Sequence, residues 1–88
     1  MIALLLSVHG RVQRVWYRDW TVQNARELGL TGWVKNEPDG SVSALLQGEE
    51  PIVRQMIERM RDGPPHALVD RIEEQQVEAA DLAGFNRR

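Results

Sequence analysis

The 88 residues carry a formal net charge of -2, which sets the scale of one domain, 1-88, with a single core and makes the whole surface unsuited to non-specific nucleic-acid binding. The absence of cysteine excludes disulfides, thiolate zinc sites and cysteine nucleophiles together, and points to a cytoplasmic compartment. The charge is uneven: Arg11, Arg14 and Arg18 cluster early, and Asp70, Glu73, Glu74, Glu78 and Asp81 cluster late.

The apolar run from Ile2 to Val8 has strand length and ends at Gly10. Its near-continuity predicts an interior strand, and the stretch from Met1 lacks the basic front of a leader and the length of a membrane span. After the loop that follows, Trp20, Thr21, Ala25 and Leu28 recur at three- and four-residue steps, with Gly29 beyond them, predicting an amphipathic helix that buries Trp20. Leu30 to Asn36 and Ser41 to Gln47 flank the turn signal Glu37-Pro38-Asp39-Gly40. They predict a β-hairpin. Glu49-Glu50-Pro51 opens a second helix with the apolar stripe Ile52, Val53, Met56, Ile57 and Met60, closed by Asp62-Gly63-Pro64-Pro65. Ala67 to Val77 is read as a strand although Val69, Ile72 and Val77 fit neither period. Phe85 to Arg88 lacks the apolar alternation of a closing strand. The order predicts an α+β, ferredoxin-like βαββαβ sandwich, an antiparallel sheet with two helices on one face.

The loop from Val8 to Arg18 holds the most chemistry. A strand that enters a glycine-opened loop and then a helix presents unpaired N–H groups to anions, and Arg18 in the helix's first turn adds a forked charge. The expected ligand is phosphate or carboxylate. Arg18 by itself has the plainer reading of a solvated surface charge, and Asn36 that of a turn stabiliser. His9 and His66 have no acidic cluster or cysteine beside them, so no metal site is expected. Ser41 and Ser43 lack a base partner or nucleophile elbow. Trp33 packs either in the hairpin's core face or over the site entrance.

Val8-x-Gly10-x-Val12-Gln13, then Val15 and Arg18, resembles the signature loop of the acylphosphatases. Gly32-Trp33-Val34-Lys35-Asn36, followed by Gly40, Val42 and Gly48, is similar to that family's second signature, and Gly63-Pro64, Ala67 and Val69 to the approach to its next strand. The resemblance thins after Val77. It implies hydrolysis of acyl phosphates to carboxylate and inorganic phosphate without metal or cofactor. By position, Arg18 corresponds to the phosphate-binding arginine, Asn36 to the residue holding the attacking water, and the backbone amides of Val12, Gln13, Arg14, Val15, Trp16 and Tyr17 to the phosphate cradle. The implied partner is a small acyl phosphate acted on by a monomer, with no nucleic acid and no membrane. Two departures stand out: Arg14 replaces a glycine and Tyr17 a phenylalanine. If Arg14 must adopt positive φ, the strain is roughly 1–2 kcal/mol. The alternative is a non-catalytic ferredoxin-like module binding phosphate or single-stranded RNA, since Arg11, Arg14, Trp16, Tyr17 and Trp20 bring basic and aromatic residues together.

Overall fold

In the computed structural model, which describes residues 1-88, the first apolar run forms β1, Ile2–Arg11. It is followed by α1 (Tyr17–Glu27), β2 (Thr31–Asn36), β3 (Val42–Gly48), α2 (Glu50–Asp62), β4 (Leu68–Val77) and β5 (Phe85–Arg87). The strands lie in the order β4-β1-β3-β2-β5, so β1 is interior, as its continuous hydrophobicity predicts. The first four strands pair antiparallel and form the expected ferredoxin-like sandwich. To this β5 adds an edge strand parallel to β2, which makes the complete sheet mixed.

Leu4, Leu6, Val8, Val34, Val42, Ala44 and Leu46 of the sheet share one buried cluster with Ala25 of α1 and Val53, Met56, Ile57 and Met60 of α2. Each fully buried large apolar side chain contributes roughly 1.5–3 kcal/mol. The α2 stripe is buried as its spacing predicts. In α1 the buried residues are Tyr17, Thr21, Val22 and Ala25, while Trp20 is only half-buried, with its ring 5.7 Å from that of Tyr17. The inward direction of α1 is thus centred one position beyond Trp20, where Thr21 returns its hydroxyl to the Tyr17 carbonyl at 2.8 Å.

The awkward pattern of β4 has a local cause. Its register against β1 shifts between His9 and Gly10, where Gly10 pairs with Val69 and His9 with Arg71. Asp70 is the extra residue of a β-bulge, so Val69 and Ile72 lie on one face although three residues apart. At the far end Val77 faces the other way, opposite Ala3. Past β4 the chain crosses the end of the sheet to reach β5. The Gln47 side-chain amide steadies the crossing by donating to the Ala80 carbonyl and accepting from the Ala80 N–H, both at 2.8 Å.

Trp33 takes neither of its two expected places. Strand alternation turns Gly32 and Val34 into the core, so Trp33 lies on the helix-free face. The Arg88 guanidinium stands 4.7 Å and the Lys35 ammonium 5.4 Å from its ring centroid. Gly32 is obligatory for a related reason: its φ is 143°, and a Cβ there would overlap the Leu45 carbonyl and press on the Phe85 ring. The close approach lets β5 dock beside β2.

Candidate active site

The bulge that disturbs β4 also begins the loop. Gly10 has φ 127°, and a Cβ on it would overlap the Leu68 carbonyl; the strand therefore bends there at close range before Val12 anchors the loop in the core. Val12 is followed by an alternation in which Arg14 and Trp16 adopt positive φ, 63° and 68°, and their neighbours do not. Alternating hands of this kind turn successive N–H groups toward one side, the backbone geometry of a nest. The N–H groups from Val12 to Tyr17 find no acceptor among the turn, loop and side-chain hydrogen bonds of the chain.

Arg14 therefore keeps the curvature its position demands. The second left-handed residue, Trp16, is also the N-cap of α1, with no side-chain capping bond. Nothing in its residue type signalled that conformation. Each costs roughly 1–2 kcal/mol relative to a glycine, and the surrounding packing holds both in place. Val12 and Tyr17, 1% exposed each, pin the two ends of the loop.

The Tyr17 hydroxyl donates to the Met60 carbonyl at 2.8 Å. It thus satisfies an orphan carbonyl near the end of α2. Burial pushes the phenol above its ordinary value of 10.0, so the folded protein holds it neutral where the unfolded chain begins to ionise. Stability linked to this group is complete below pH 10 and falls as pH rises from there through the folded-state value, at about 1.4 kcal/mol per pH unit. Tyr17→Phe is expected to be less stable than the wild type by about 1 kcal/mol at pH 8 and to close that gap above pH 10. Denaturant melts of both proteins between pH 8 and 11 check this; a constant gap means that the phenol is not held neutral.

Asn36 ends β2 on the same face as Val34, paired across the hairpin with Val42. Its side chain makes no hydrogen bond, and Oδ1 is buried without a partner. The turn beyond it is held by other groups. Glu37 N–H donates to the Ser41 carbonyl at 2.9 Å, Gly40 N–H to the Glu37 carbonyl at 3.1 Å, and Asp39 Oδ1 accepts from both the N–H and the hydroxyl of Ser41. The Ser41 hydroxyl leads these bonds in holding the Asp39 carboxyl below its usual value. Ser43 likewise donates to Glu37 at 2.6 Å. The two serines are turn elements, and Asn36 is not.

A cavity of about 750 Å³ joins the loop to Asn36. Of the residues predicted for the site, Val12, Arg14, Val15, Trp16, Tyr17, Arg18 and Asn36 line it. Gln13 does not. Its side-chain amide turns away and donates to the carbonyls of Glu37 and Ser41 at 2.8 and 2.9 Å, tying the loop to the hairpin next to Asn36. The partners of this side chain lie 24 and 28 residues away, and no local signal in the sequence announces them. Gln13→Leu is expected to destabilise by about 0.5–1.5 kcal/mol, because the Glu37 and Ser41 carbonyls each lose one of two donors and keep the N–H of Gly40 and of Glu37, and to lower kcat more than it raises KM. Stopped assays and melts on the variant read both; unchanged kcat removes the positioning role.

Arg18 reaches the cavity from the first turn of α1 and donates through Nη1 to the main-chain oxygen of Arg88 at 2.9 Å. Arg87 donates to Asp19 at 2.9 Å, and Arg26 Nε to the Phe85 carbonyl at 3.0 Å. The short β5 segment is thereby fastened to three residues of α1 while its backbone pairs with β2. Phe85, 1% exposed, is its core anchor. His66 lines the cavity, whereas His9 bonds Glu73 at 2.8 Å elsewhere. No group of three or more His, Cys, Asp or Glu side chains is arranged to hold a metal ion.

The family model described as Acylphosphatase matches residues 4–86. The chain belongs to the acylphosphatase family. It is 48% identical over 88 residues to an acylphosphatase of Rhodospirillum rubrum, covering 100% of this chain and 97% of the relative. Against an acylphosphatase of Mesorhizobium japonicum it is 53% identical over 82 residues, covering 93% and 87%. The crystal structure of acylphosphatase from Bacillus subtilis superimposes with a TM-score of 0.96 at 30% identity, covering 100% of this chain and 99% of that one. The acylphosphatase fold is therefore retained with Arg14 in the loop. The activity is hydrolysis of acyl phosphates, as in the acylphosphatases it matches along its length.

Proposed function

We propose that the phosphate of the substrate sits on the amides of Val12 to Tyr17 and on Arg18, and that Asn36 holds the attacking water. The observation that carries this reading is the buried, unpartnered Asn36 Oδ1 on the cavity shared with Arg18 and the loop. A buried acceptor without a donor costs about 1–3 kcal/mol, and a water that donates one hydrogen to it removes that cost. The water's lone pair is then left to face phosphorus.

In the reaction, the water oxygen forms a bond to phosphorus as the bond between phosphorus and the acyl oxygen breaks. The electron pair leaves with the carboxylate, and the water proton ends on the phosphate. Because a carboxylate is a good leaving group and the transition state is loose, little deprotonation of water is required. The loop amides and guanidinium stabilise the spread charge on the equatorial oxygens, while Asn36 contributes orientation.

Both halves of the site come from one chain, which supports a monomer of residues 1-88 acting on small acyl phosphates; the absence of cysteine supports a cytoplasmic setting. No helix is long and apolar enough to cross a membrane. The RNA-binding alternative has little support, since of its aromatic residues Tyr17 is buried in the core and Trp20 is half-buried against it, which leaves Trp16 alone to stack a base. Hydrolysis of benzoyl phosphate by the purified protein, beside Arg18→Ala and Asn36→Ala, tests the assignment. Activity retained in either variant rejects that residue's role.

A further inference from the structure

Three arginines line the cavity, Arg14, Arg18 and Arg87, against one acid, Asp19. Arg87 and Asp19 neutralise each other at 2.9 Å, and Arg18 is assigned to the phosphate. Arg14 has no carboxylate within ion-pair distance. It is an uncommitted positive charge at the mouth, on a backbone strained at φ 63° where glycine would relieve the strain. Backbone strain that persists in a protein clusters at active sites and ligand clamps. Beside it Trp16, 58% exposed, offers an apolar wall to a short carbon stem.

We propose that this enzyme prefers acyl phosphates whose acyl part ends in a second anion, carboxylate or phosphate, which Arg14 pairs with while the stem lies against Trp16. The proposal rests on the assignment of Arg18 and the loop amides to the reacting phosphate. An exposed guanidinium acts here through partly screened attraction and forked hydrogen bonding, so the effect falls mainly on kcat/KM.

The test compares butyryl phosphate with succinyl phosphate and with 3-phosphonopropionyl phosphate, which match it in backbone length and add a terminal charge. The wild type is expected to favour at least one charged substrate by about tenfold in kcat/KM, and the favoured one identifies the anion. Arg14→Gln and Arg14→Gly are expected to bring the ratio below about threefold, and Arg14→Lys to keep part of it. Each ratio is taken within one protein, so any change in loop geometry common to the substrates cancels. Added KCl is expected to shrink the wild-type preference. A wild-type ratio near one, or a ratio that persists in Arg14→Gln, overturns the proposal. If butyryl phosphate turnover requires both Arg18 and Asn36 but shows no preference, Arg14 alone is misassigned; if turnover survives without either, the underlying site assignment is wrong.

Discussion

Asn36→Ala is expected to lower kcat for benzoyl phosphate by about 100-fold or more, ~2.7 kcal/mol, with KM changed less than about threefold. In the proposed assignment the phosphate contacts belong to the loop and Arg18, so binding is expected to survive while the water loses its place. Stability gives an independent reading. Oδ1 has no partner within the protein, and the turn after Asn36 is built from Glu37, Asp39 and Ser41. The variant is therefore expected to melt at or slightly above the wild-type temperature. A loss of more than about 1 kcal/mol together with near-normal kcat returns Asn36 to the role of a turn stabiliser.

Arg18→Ala is expected to have the largest effect of all, a loss of about 1,000-fold or more in kcat/KM. It removes a full charge that the amides alone do not replace, and inhibition by inorganic phosphate is expected to weaken in parallel by about tenfold or more. Arg18→Lys keeps the charge without the fork, so only part of the activity is expected to return. The structural cost is small: the bond lost, from Nη1 to the Arg88 main-chain oxygen, is exposed. Unchanged phosphate inhibition in Arg18→Ala rejects the role.

The elements with a strong local pattern were legible. The α2 stripe, the hairpin around Glu37-Pro38-Asp39-Gly40 and the interior strand β1 follow from spacing and turn chemistry, which depend on neighbours in sequence. Where legibility failed, a distant partner was deciding. The bulge at Asp70 lies where β4 comes against Gly10 of β1 at close range, so the period of β4 is unreadable without β1. Trp20 loses its expected core place to Thr21, a choice that helical spacing alone leaves open.

By itself the sequence determined the members of the candidate site: an arginine in the first helical turn, an asparagine at the end of a strand, and a loop able to offer amides. These are local chemistries, carried by residue type and position. Only the tertiary structure decided that Arg14 and Trp16 hold left-handed conformations, that Gln13 ties the loop to the hairpin, and that β5 fastens α1 beside β2. Each of those depends on groups brought together from distant parts of the chain, where packing and backbone hydrogen bonding outweigh the preference of any single residue.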